Sequence, residues 1–337
     1  MKKRETEYDL LRLAALMGVI FTHASGVATS TAFGSSVMAF LTSTVTWHVP
    51  VFVMISGRFF LDPERAYPPK KLLRSITHIV TAFLFWNAIY QVYYILSGAY
   101  SGLNWKGILF QGLLGAYHLW FLFMLVGLYA IVPFLRKIVT DRQLTEYFLL
   151  LFLVFQGITI YGPALPVIGD LVTGIMGKFQ FSFAMGFSGY FVLGYYLYRW
   201  PVTGKREIAL YLAGILCFCF TGFGTVLLTL NNTPGEEWLC KYLMPNVVVE
   251  AAALFTFFTS RIKRFRFSEG FRKLISKAAQ CSFGAYLIHA LVLDLTEQVL
   301  PFSGLPGVVA HVLLVLTLSL GITALIRRIP LVGKQIT

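Results

Sequence analysis

The sequence predicts an all-α protein, a polytopic membrane helical bundle of about ten transmembrane helices with both termini in the cytoplasm. Three observations carry this. Of the 337 residues, 57% are hydrophobic and only 13% charged, and the mean hydropathy is +0.72, whereas a soluble domain carries about 25% charge. Ten apolar runs each approach the ~20 residues that cross a hydrocarbon layer. The lysines and arginines sort to alternate connections between those runs, as the positive-inside rule requires.

The runs follow one another without a linker, repeat or low-complexity stretch, so residues 1–337 read as a single domain. Run one covers 8–27, after Lys2, Lys3 and Arg4. A basic start before an apolar run also opens secretory leaders, but nine more runs follow and a cleaved leader has no use for Arg12 and His23. Run two, 37–60, leads to Arg58, Arg65, Lys70, Lys71 and Arg74. Run three covers 72–96. Run four, 114–135, ends at Arg136, Lys137 and Arg142. Runs five and six cover 144–161 and 181–198, and Arg199, Lys205 and Arg206 come next. Runs seven and eight, 207–229 and 243–260, precede a connection rich in arginine and lysine. Runs nine and ten, 281–299 and 306–326, precede Arg327, Arg328 and Lys334.

With the N-terminus inside, 24 of the 28 basic residues fall in cytoplasmic segments and three, Lys106, Lys178 and Lys241, in outer ones. The net charge of +13 therefore sets topology and meets anionic lipid heads; nucleic acid is not the expected partner. Residues 262–280 mix bases with Phe, Leu and Ile at helical spacing, which predicts a helix on the cytoplasmic membrane surface. Cys217, Cys219, Cys240 and Cys281 form no C-x-x-C pair and read as small apolar residues.

Ionisable groups inside hydrocarbon mark cavities and pathways. Arg12 and His23 are eleven residues apart, about three turns, so they share a face roughly 16 Å apart along the axis. Asp9 is placed to pair with Arg12. His48 and His289 are mid-run, and His118 and His311 are near the outer side. Glu250 is mid-run with Asn246 one turn away, and Asp294 lies in an outer half. For each the plainer reading is a structural hydrogen bond or, for Arg12, snorkelling to the headgroups. No metal is expected, because no two histidines stand at i, i+4 and no thiolate cluster exists. A cationic mouth with imidazoles deeper in suits a long anionic molecule entering from the cytoplasm, and an acyl-coenzyme A matches in kind.

"DLLRLAALMGVIFTH" (9–23) resembles the opening motif of the acyltransferase-3 family of integral membrane acyltransferases, where ten residues separate an arginine from a histidine. "WHVPVFVMISGRFFL" (47–61) resembles its second-span motif with Ser56 and Gly57. "YHLWFLFMLVGLYAIVPFLRK" (117–137) resembles its His-Leu-Trp-Phe span, and "SFGAYLIHALVL" (282–293) its late Ser-Phe-Gly-x-Tyr-x-x-His segment. Arg58 after Ser-Gly and Ala290 after His289 depart from the family's pattern.

The resemblance implies a multi-pass protein of the bacterial cytoplasmic membrane. It implies transfer of an acyl group, usually acetyl, from cytoplasmic acyl-CoA to a hydroxyl of a cell-surface or lipid-linked glycan. No metal enters. The chain ends at Thr337 and resembles a stand-alone member without a fused extracytoplasmic domain. His23 is the expected catalytic group, as general base or as nucleophile, with Glu250 and His289 orienting it or stabilising charge. Arg12, Asp9 and Arg58 are expected on the donor side. His48, His118, Trp120 and Ser56 are expected to line the acceptor path. Two other classes stay open: a proton-coupled transporter or exporter, against which stands the lack of a repeated half, and a membrane sensor or amino-acid-handling partner.

Overall fold

Polar and imino residues punctuate the apolar runs and set where the helices begin. Asn104 and Asp141 accept the Gly107 and Leu144 amides at 2.9 and 2.7 Å, and Ser268 accepts that of Phe271, satisfying donors that the first helical turn leaves orphaned. Pro69 and Pro245 occupy first turns, where no amide is needed. The structure is a computed structural model. It describes residues 5–25, 32–164, 167–179, 186–231, 236–300, 303–330 and 333–337.

Among the described residues the α-helices are α1 (Thr6–Ala24), α2 (Ala32–Thr44), α3 (His48–Phe60), α4 (Pro69–Leu96), α5 (Trp105–Leu114), α6 (Trp120–Ile138) and α7 (Arg142–Tyr161). Next come α8 (Gly169–Phe179), α9 (Phe187–Arg199), α10 (Lys205–Leu230), α11 (Pro245–Ser260), α12 (Glu269–Gln280), α13 (Ser282–Val299) and α14 (Gly304–Ile326). No strand occurs among them.

Seven helical stretches are long and apolar enough to cross a membrane, or eight if the α12–α13 pair, bent by 62°, is one span. These match eight of the ten expected runs. The other two differ for physical reasons. The α1 helix carries Glu7, Asp9 and Arg12, and the described part of α9 is 13 residues long. The expected runs 8–27 and 181–198 and the basic opening Lys2, Lys3 and Arg4 lie partly or wholly outside the described residues.

The charged opening of α1 is tolerated because the helix is enclosed by protein. It packs against α3, α11, α12, α13 and α14, with Leu11, Ala15, Leu16 and Ile20 at 0% exposure. The outer helices show the reverse pattern. Leu212, Ile215, Leu216, Phe223 and Leu227 of α10 are all exposed, an apolar surface that suits lipid. The α12 helix is amphipathic, with Lys273 and Lys277 exposed and Arg272 half-buried beside exposed Phe271 and Leu274.

The tightest packing joins α3 to α9. A Cβ on Gly57 would run into the Phe191 backbone, and one on Gly194 into the Met54 backbone. The two main chains therefore touch, as small residues allow between membrane helices. Gly194→Val is expected to lower stability by about 2 kcal/mol or more, the cost of overpacking a filled core. Thermal unfolding in detergent checks this. Gly127→Ala, where nothing lies within 4 Å, is the neutral control.

Candidate active site

The basic ends of several helices converge on one cavity of about 1060 Å³. Arg12 reaches it from α1. Lys70 and Arg74, one turn apart on α4, reach it from the side, and Lys334 from the segment after α14. The described lining holds these four cations and no aspartate or glutamate. It also lies at the start of α4, where the helix dipole favours an anion. Asp9 stands 3.5 Å from Arg12 but its side chain lines a separate small cavity with Thr6, Arg272 and Lys277, so it holds the arginine from behind. Ser56 lines the main cavity too, donating to the Phe52 carbonyl at 3.0 Å.

The inner end of the cavity is closed by Phe52, Phe121 and Tyr286. Behind Tyr286 stands a cluster of histidines. The His289 ring lies 5.4 Å from that of His23 and 5.1 Å from that of His118, and the Tyr286 ring is 5.6 Å from His289. The Tyr286 hydroxyl donates to the His118 carbonyl. His23 is half-buried and makes no side-chain hydrogen bond among the described residues. The other rings of the cluster are fully enclosed.

Carbonyl oxygens only accept, and this fixes the tautomers. His289 Nδ1 lies 2.5 Å from the Tyr286 carbonyl, so it carries the proton and Nε2 is bare. His118 Nε2 lies 3.3 Å from the Leu287 carbonyl, so Nδ1 is bare. Thr22 donates its hydroxyl proton to the Gly18 carbonyl at 3.0 Å, so it accepts from His48 Nε2 at 3.1 Å, and His48 Nδ1 is bare. All three bare nitrogens are buried, with no donor against them among the described residues.

Beyond the histidines, away from the basic end, lie aromatic rings. Tyr117, 52% exposed, packs edge-on against His23 at 5.1 Å. Trp120 stacks on Tyr242 at 5.8 Å, and Tyr242 packs against His48 at 5.6 Å.

Two expected site residues are not brought here. Arg58 is 3% exposed at its side chain, 3.4 Å from Asp62 and 3.5 Å from Glu5. Its guanidinium sits over the Tyr198 ring, and it does not line the cavity. Its own i, i+4 carboxylate captures it. Glu250 is buried between α10 and α11, where Thr221 donates to it at 2.5 Å and Asn246 donates to Thr221 at 2.7 Å. No described hydrogen bond, ion pair or ring contact joins Glu250 to the histidines. His311 pairs with Thr296 at 2.7 Å, away from the cluster. Sequence reasoning assigned Lys70 and Arg74 to topology alone, although their i, i+4 spacing at the start of a helix was a usable signal. Tyr286 and Tyr117 stood inside the quoted motifs. Tyr242 carried no signal.

A family model described as an acyltransferase domain matches residues 5–328. No curated protein and no solved structure matches the chain.

Because Arg58 is held by Glu5 and Asp62 inside the protein, Arg58→Met is expected to cost about 2–4 kcal/mol by stranding buried charge. It is expected to leave ligand binding in the Arg12 cavity within twofold of wild type. Thermal unfolding and titration calorimetry on the same preparation separate the two effects.

Proposed function

As the chain belongs to the acyltransferase-3 family, we propose that it moves an acetyl group from acetyl-CoA, held in the cavity at its basic end, to a hydroxyl of a cell-surface or lipid-linked glycan that approaches from the aromatic end. The setting we assign is the bacterial cytoplasmic membrane, with the basic end facing the cytoplasm. The observation that carries this reading is the cavity with four cations and no aspartate or glutamate in its described lining, one wall of which is also the packing partner of the histidine cluster. Arginine and lysine bind phosphate by charge-assisted hydrogen bonds, and the pantetheine arm has the length to span the distance from Arg12 to His23.

In this mechanism neutral His23 takes the proton of the acceptor hydroxyl as its oxygen attacks the thioester carbonyl. The C–O bond forms, the C–S bond breaks, and the proton passes from His23 to the leaving thiolate of CoA. The bare Nε2 of His289, in a ring 5.4 Å from that of His23, is the acceptor available to the far nitrogen of His23 once the substrates are bound, where it would fix the tautomer and share the positive charge. His118 and His48 offer bare nitrogens to further hydroxyls of a polyol. Trp120 and Tyr117 offer faces to sugar rings. Glu250 acts as a structural link between α10 and α11, and Arg58 as a structural cation.

CoA is expected to stabilise the detergent-purified protein by about 2.7 kcal/mol at a hundred times its dissociation constant, and Arg12→Ala to lose most of that shift. A well-folded preparation that neither CoA nor acetyl-CoA stabilises would overturn the donor assignment and favour proton-coupled transport through the same histidines. His23→Ala is expected to keep CoA binding and to lose transfer by at least about 10²-fold, the usual worth of a general base. Incorporation of labelled acetyl into membrane glycan reads this out.

A further inference from the structure

After α14 the chain returns to the bundle. Gly333 to Thr337 lie against α4 and α13, and Ile336 and Thr337 are 5% and 3% exposed. Three contacts pin the segment. The Trp86 indole N–H donates to the Ile336 carbonyl at 2.7 Å across 250 residues of sequence. The Thr337 hydroxyl donates to the Gly333 carbonyl at 2.6 Å. Thr337 packs so closely on Gly284 that a Cβ there would meet it at 2.9 Å. The segment also faces His78 through the Gln335 backbone.

The same residues form a wall of the main cavity. Lys334, Gln335 and Thr337 line it opposite Arg12, and Lys334 is exposed to its interior side and to solvent. Among the described residues no ion pair holds the Lys334 ammonium. A segment with two buried residues and a buried backbone bond to a tryptophan is anchored, yet it presents its one cation where Arg12, Lys70 and Arg74 present theirs.

We propose that residues 333–337 are a built-in strap of the donor site, locked by the Trp86–Ile336 bond, that delivers Lys334 as a binding residue for the phosphate groups of the acyl donor. This rests on the reading of the cavity as the site of a phosphate-bearing acyl donor, and it assigns a role there to a part of the chain that lies beyond the matched residues 5–328. The strap gives the cavity its fourth cation and its fourth side. Trp86 itself does not line the cavity, so it acts through the strap as a positioning residue.

The test is CoA affinity by titration calorimetry for the wild type, Lys334→Ala, Lys334→Arg, Trp86→Phe and Lys263→Ala, at low and high salt. Lys334→Ala is expected to weaken CoA binding about tenfold at low salt, the worth of one charge-assisted hydrogen bond, and to flatten the salt dependence. Lys334→Arg is expected to restore affinity to within about twofold, since it keeps the charge and the donors. Trp86→Phe keeps the ring and removes the N–H; it is expected to weaken CoA without removing any cavity side chain. Lys263→Ala, an exposed cation away from the cavity, is expected to change nothing. Lys334 is exposed, so its substitution leaves the fold intact and its result decides the matter if Trp86→Phe proves unstable. Wild type that binds CoA while Lys334→Ala binds equally well overturns the strap and leaves the donor site standing. Wild type that binds no CoA overturns both.

Discussion

Inside an apolar bundle every polar group must be matched by the protein itself, because no water is at hand to do so. That constraint arranges this molecule. Arg58 is enclosed, and Glu5, Asp62 and the Tyr198 face gather around it. Glu250 is enclosed, and Thr221, in turn held by Asn246, donates to it. The indole of Trp86 is enclosed, and a carbonyl from the far end of the sequence comes to it. Each match ties together elements that are distant in sequence, so satisfying polar groups and specifying the fold are one process here.

Several groups that escape this matching lie along one path. Four cations stand around one cavity with no aspartate or glutamate in its described lining. Behind the Tyr286 wall, three imidazoles are held by carbonyls, or by a threonine already committed to one, each with a nitrogen bare. Beyond them, half-exposed Tyr117 and Trp120 present aromatic faces. The order along the path, cations then imidazoles then aromatic rings, fits the proposed reading of a phosphate-bearing acyl donor followed by a sugar.

The α1 helix is the ruler of this path. Arg12 at its cavity end and His23 at its aromatic end sit on one rigid element, three turns apart, and neighbours on five sides hold it. The close α3–α9 contact at Gly57 and Gly194 fixes α3, which carries His48 against Gly18 of α1. Rigid backbone contact at one place thereby positions imidazoles at another.

The sequence by itself determined the class of fold, the basic sidedness of the connections, the family, and the shared face of Arg12 and His23. Those follow from composition, helical period and short motifs, which are local properties. It also contained His118, His289 and Tyr286 at motif positions, but it did not place them around His23. Only the tertiary structure decided which polar residues meet. It assigned Arg58, one residue after a motif glycine, to an internal ion pair because Asp62 stands four residues on, just past the end of the same helix, and Glu5 reaches it from the start of the chain. It assigned Glu250 to the α10–α11 interface because Thr221, itself held by Asn246, donates to it there. It turned Lys70, Arg74 and Lys334 from topology signals into one cavity lining. The reason is physical: what a buried charge does depends on which neighbour satisfies it, and neighbours 71 to 250 residues away leave no periodic trace along the chain.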